Sequence, residues 1–124
     1  MGLTQPSQNE IYADQRRVPR KKYDGYVSIL HAARADLARG LELGEGGMMI
    51  ESAMDLQVDD LIVVTFSVFK RDFLSIRAKV LYVTKQEVAK NQFAYRCGVE
   101  FQNVQFAVKR TIRGFVSAQS NLEG

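Results

Sequence analysis

The stretch that most constrains the fold is Phe73–Thr84, where Leu74, Ile76, Ala78, Val80 and Tyr82 alternate with Ser75, Arg77 and Lys79. A side chain that changes face at every residue belongs to a β-strand with one side buried. A helix would return its apolar stripe every three or four residues. Phe93–Phe101 repeats the pattern through Phe93, Tyr95, Cys97, Val99 and Phe101, and Lys22–Leu30 follows it more loosely through Tyr23, Gly25, Val27 and Ile29. Leu61–Phe69 is rich in β-branched and aromatic residues, which suit a pleated, half-buried surface. Ala35–Leu43 sets Leu37, Leu41 and Leu43 among charges, and Gly44-Glu45-Gly46-Gly47 then turns the chain into Met48-Met49-Ile50. From Val104 the period changes, with Phe106, Ile112, Phe115 and Val116 near helical spacing and no proline among them. The pattern predicts an all-β fold with one helix: a six-stranded antiparallel β-barrel, its strands mostly joined by short turns, capped by a C-terminal α-helix.

With 124 residues, 46% hydrophobic and 25% charged, the chain suits a single globular domain. Residues 1–13 are polar and read as a flexible leader, 14–118 as the domain, and 119–124 as a tail. The 17 Lys and Arg against 14 Asp and Glu leave a net charge of +3, too small by itself to argue for nucleic acid. One cysteine, Cys97, excludes an intramolecular disulfide and a zinc site of several thiolates, and one histidine, His31, excludes sites that need two imidazoles. No metal or cofactor is expected. No apolar run approaches the ~20 residues of a membrane span, and no apolar segment follows a basic one at the N-terminus. The expectation is a cytoplasmic domain with no membrane span; a homodimer is left open.

Two features invite a functional reading. Residues 15–22 carry Arg16, Arg17, Arg20, Lys21 and Lys22 with no acid, and Pro19 keeps the stretch extended, as an arm. Guanidinium groups bind phosphates bidentately and stack on bases, so such an arm suits a nucleotide with several phosphates, although a solvated basic tail is the simpler account of the charge alone. The glycine corner permits positive φ and close approach of a ligand to the main chain, against the simpler account of a tight turn. Cys97 lies on the apolar side of its strand and reads as core; His31 reads as a turn residue, Asp59-Asp60 as the opening of the Leu61 strand, and Lys109, Arg110 and Arg113 as the solvent face of the helix, complementing its carbonyl end. No nucleophile stands with a base and supporting residues, so no enzyme is expected.

Taken together, the arm and the corner resemble the PilZ family, bacterial domains that bind the second messenger cyclic di-GMP. The family pattern is Arg-x-x-x-Arg, followed about one strand pair later by Asp/Asn-x-Ser-x-x-Gly. Here Arg16-Arg17-Val18-Pro19-Arg20 supplies the first motif, and Glu42-Leu43-Gly44-Glu45-Gly46-Gly47 stands where the second belongs. Downstream, Val58-Asp59-Asp60-Leu61-Ile62-Val63, Lys79-Val80-Leu81-Tyr82-Val83 and Tyr95-Arg96-Cys97-Gly98-Val99-Glu100-Phe101 are similar to the family's later strands. The resemblance covers roughly Asp14 to Ala118.

The resemblance implies that Arg16 and Arg20 clamp phosphate and engage guanine, that Arg17 adds phosphate contacts, and that Gly47 is the motif glycine. Glu42 replaces the family's Asp or Asn and Gly44 its Ser, so the second motif is degenerate. Glutamate keeps the carboxylate one methylene farther out, at a cost in rotamer entropy, and the lost serine hydroxyl removes a hydrogen bond of ~1 kcal/mol. The implied function is a cyclic di-GMP receptor that orders its arginine arm on the ligand and signals to an unidentified effector protein. The alternative is a PilZ-type interaction module that binds no cyclic di-GMP. A nucleic-acid-binding barrel is disfavoured, because the predicted strands carry no cluster of exposed aromatics among cations.

Overall fold

Period-two alternation becomes burial in the computed structural model, which describes residues 20–90 and 92–123. The expected leader at 1–13, together with Arg16 and Arg17, lies outside the described residues. Among the described residues, six strands, β1 (Arg20–His31), β2 (Arg34–Gly44), β3 (Gly47–Ser52), β4 (Leu61–Val68), β5 (Asp72–Ala89) and β6 (Gln92–Phe101), precede one helix, α1 (Phe106–Glu123). Every pairing is antiparallel, and the ring closes in the order β1-β2-β3-β6-β5-β4. The expected barrel with one helix is therefore the fold. The helix runs on through residues 119–123, which the sequence set apart as a tail.

Ile62, Val64, Phe66 and Val68 of β4, Ile76, Ala78 and Val80 of β5, and Cys97, Val99 and Phe101 of β6 fill the interior. α1 closes over it with Ile112, Phe115 and Val116, an i, i+3, i+4 stripe. Phe106 was expected on that stripe. It is 69% exposed at the first helical position, with the Arg110 guanidinium 5.9 Å from its ring centre.

Two bulges change which residues face inward. In β2 the register shifts between Gly40 and Glu42, so Ala38 and Gly40 point inward before it and Leu43 after it. Leu37, expected beside Leu43, is 59% exposed instead. In β5 the shift lies between Val80 and Tyr82 and turns Tyr82 away from the interior, to 43% exposure. An extra residue in one strand reverses the face of everything beyond it.

Two seams join strands that are not consecutive. β3 pairs with β6 from Gly47↔Glu100 to Ser52↔Tyr95, whereas β1 meets β4 only from Ser28↔Thr65 to Leu30↔Val63. Where β1 leaves β4, Tyr23 spans the gap, donating its hydroxyl to the Ser67 carbonyl at 2.7 Å. The ring stands edge-on to Phe66 and Phe115, with centroids 5.8 Å and 6.1 Å away. It also packs over Gly40, where a Cβ would come within 2.4 Å of it.

Tyr23→Phe keeps the ring and leaves the Ser67 carbonyl short of a donor, so the expected cost is about 1 kcal/mol in urea denaturation. Burial also pushes the Cys97 thiol up to about 11 from an ordinary 9.0. An acid whose folded pKa is raised contributes stability in full below its unfolded pKa and loses it as pH rises through the folded one. Between pH 9 and 11 the urea midpoint should therefore fall less steeply for Cys97→Ala than for the unsubstituted chain.

Candidate functional site

The β2–β3 corner consists of Glu45 and Gly46, between Gly44 at the end of β2 and Gly47 at the start of β3. The glycines of this corner permit positive φ, but no described glycine adopts it. Space is the reason for Gly47: a Cβ there would lie 2.1 Å from the Val99 carbonyl oxygen, so β3 can close on β6 only without a side chain. The Gly46 carbonyl accepts from the Phe101 N–H at 2.8 Å and fastens the corner to β6. Gly98 is bare for a related reason, since the Tyr82 ring occupies the place its Cβ would take.

These approaches leave a cleft of about 230 Å³. Arg20 lines it from β1, Glu42 and Gly44 from β2, Glu45 and Gly46 from the corner, and Gly47, Met48 and Met49 from β3. Leu81 and Tyr82 of β5 and Gly98, Val99 and Glu100 of β6 form the remaining wall. Arg20 arrives there because β1 pairs with β2 as far as Arg20↔Gly44. The arm expected over residues 15–22 is thus strand from Arg20 onward. Of the expected site residues, Arg20, Glu42, Gly44 and Gly47 converge on this one cleft. Arg16 and Arg17 lie outside the described residues.

Acidic side chains outnumber cations around the cleft. Glu42, Glu45 and Glu100 line it, against Arg20 alone among its described lining residues. The Arg20 Nη1 stands 3.9 Å from Glu42 Oε1, with both side chains about half exposed. Glu100 Oε1 accepts from Gln102 Nε2 at 3.0 Å. Glu45 has the firmest partner. Arg113 of α1 donates from Nε to Oε2 at 2.8 Å and from Nη2 to Oε1 at 3.0 Å. This fork holds the Glu45 carboxyl below its usual range, Lys109 adds to the effect, and Glu45 in turn raises the Arg113 guanidinium.

Arg113 is exposed, as expected of the helix's solvent face, but it does not complement the carbonyl end: it sits mid-helix, bonded to the corner, and the last turn of α1 carries no basic residue. Tyr82 and Arg113 are the site features that sequence reasoning missed. The bulge displaced Tyr82, and nothing local links Arg113 to a glutamate 68 positions earlier. His31 pairs with Asp60, Nε2 to Oδ2 at 3.5 Å, and neither residue lines the cleft. A cation, carboxylates and an aromatic ring around closely approached backbone are groups able to engage a ligand through charge, hydrogen bonds and stacking.

A family model described as the PilZ domain matches residues 14–118. Among solved structures, the PilZ domain of Escherichia coli YcgR, bound to c-di-GMP, superposes with a TM-score of 0.69 at 18% identity, covering 88% of this chain and 94% of that one. K. pneumonia MrkH in its apo state gives 0.67 at 13% identity, over 85% of this chain and 52% of that one. The Bacillus subtilis inhibitor of motility MotI/DgrA gives 0.68 at 12% identity, over 86% and 52%. The chain thus spans nearly all of the isolated domain and about half the length of the other two proteins. No curated protein matches at a significant level. At these identities the structures show the shared fold, and the family model carries the assignment over most of the sequence: the chain belongs to the PilZ domain family.

Proposed function

We propose that this chain is a cyclic di-GMP receptor, a binding domain and not an enzyme, with its ligand seated at the β2–β3 corner. The observation that carries this reading is the convergence of Arg20, Glu42, Gly44 and Gly47 on one cleft. Arg20 offers a guanidinium to a phosphate, Glu42 a carboxylate to guanine N–H groups, and the bare backbone at Gly44 and Gly47 lets the ligand come close. Tyr82, 43% exposed across Gly98, presents a ring to a purine face. The relative bound to c-di-GMP shares this fold over nearly its whole length, which supports the same ligand here.

The cleft of about 230 Å³ is smaller than the ~300–1,000 Å³ of most ligand pockets, so a dinucleotide needs a second wall. The residues before Arg20 supply one. Arg16 is four positions upstream, within roughly 13 Å of reach for extended chain, and brings Arg17 with it. Ligand bound between Arg16, Arg17 and the corner fixes the arginine arm across the barrel and so changes the surface that an effector protein meets. Such a receptor works in the cytoplasm, where its nucleotide is made and degraded.

A second reading is an interaction module without a nucleotide. It is favoured by Gly44, which lacks the family's hydroxyl, and by the Arg20–Glu42 pair, in which each residue already has a partner. Calorimetric titration of cyclic di-GMP separates the two. Saturable binding is expected, weakened a hundredfold or more in Arg16→Ala/Arg20→Ala, because each bond to a charged group contributes about 1.5–3 kcal/mol. Tyr82→Ala should weaken it about tenfold through lost stacking. No heat up to high micromolar ligand, from protein shown to be folded, would leave the interaction module.

A further inference from the structure

The cleft's charge balance poses a physical difficulty for the reading just given, on which this inference rests. A cyclic dinucleotide brings two phosphate anions to a corner that already carries Glu42, Glu45 and Glu100. Glu42 has Arg20 beside it, and Glu100 faces open solvent on an exposed residue. Glu45 differs from both. It sits in the corner itself, its side chain only 26% exposed, between the glycines whose backbone the ligand must approach. An uncompensated carboxylate there would repel every phosphate that Arg20 attracts.

We infer that Arg113, midway along α1, is a positioning residue of the nucleotide site: through its two-pronged bond to Glu45 it neutralises the corner and fixes its orientation for an anionic ligand. The geometry is specific to that task. Both carboxylate oxygens are taken, at 2.8 Å and 3.0 Å, by two nitrogens of one planar guanidinium, which restricts the rotation of the Glu45 side chain. The Arg113 side chain is itself 58% exposed, so its bond contributes little to burial, whereas its neighbours Ile112, Phe115 and Val116 are locked in the core. Seating those side chains seats Arg113. The corner is then held from two directions, by β6 through the Gly46 carbonyl and by α1 through Glu45. Anything that tilts α1 loosens the Glu45 clasp and so weakens the nucleotide, and by linkage the bound nucleotide resists that tilt.

The test is calorimetry with cyclic di-GMP on the full chain carrying Arg113→Gln, Glu45→Gln, or both, each checked for an unchanged melting curve. Arg113→Gln should weaken binding about tenfold or more by leaving Glu45 uncompensated, and the loss should shrink as salt screens the repulsion. Glu45→Gln removes the repelling charge together with the clasp, so it should weaken binding less than Arg113→Gln does, and the double variant should bind as Glu45→Gln does, recovering part of what Arg113→Gln lost. A merely structural role for Arg113 would leave the double variant as weak as the single one and indifferent to salt, and that result overturns the inference. So does Arg113→Gln binding as tightly as the unsubstituted chain. In both cases the receptor reading stands, whereas absence of binding by the unsubstituted chain removes the reading and the inference with it.

Discussion

The close approach of β3 to β6 at Gly47, where the Val99 carbonyl leaves no room for a side chain, sets the rest of the structure. It is one of the two points at which the meander β1–β2–β3 is joined to β4–β5–β6, and without that seam the ring would be a single open sheet with β3 and β6 as exposed edges. The other seam is too short to do the same, since β1 meets β4 over Ser28–Leu30 and relies on Tyr23 to bridge the remainder. The residue that lets the barrel close also lines the cleft. Barrel closure and the shape of the cleft therefore share one constraint, and the corner has little freedom to drift while the fold is intact.

Electrostatics gives the same corner its character. Backbone N–H and C=O groups in the seam are committed to the β3–β6 ladder, leaving side chains to discriminate among ligands. The charged ones among them are mostly acidic, unlike the basic segment that precedes β1 in the sequence. Under the proposed function such a cleft would be one half of a site, its carboxylates offered to N–H donors and Arg20 to a phosphate. Arg20 is both the first residue of β1 and a lining residue of the cleft.

Alternation made three strands legible in the sequence, and β-branched and aromatic composition a fourth. Ile76, Ala78 and Val80, and likewise Cys97, Val99 and Phe101, are buried as the period demands. What stayed hidden is what local pattern cannot encode. The bulge after Gly40 exposes Leu37 and buries Leu43, and the one after Val80 sends Tyr82 to the cleft; both arise from how neighbouring strands fit, not from either strand alone. The motif residues Arg20, Glu42, Gly44 and Gly47 were legible as a set because their spacing is a family pattern, but the reason for Gly47 is steric and visible only against Val99. Arg113 looked like one cation among several on a helix face. Its partner, 68 residues away in sequence, appears only once α1 is laid on the barrel.

The central claim is that a cyclic dinucleotide binds at the β2–β3 corner. Its most direct test is a map of backbone amide resonances of the isotopically labelled chain during titration with cyclic di-GMP. The account predicts shifts concentrated at Arg20–Lys22, Glu42–Met49, Leu81–Tyr82 and Gly98–Glu100, together with amides of the arginine motif before Arg20. Shifts confined instead to the β1–β4 gap around Tyr26, Ser67 and Phe69, or no shifts at saturating nucleotide, would contradict it.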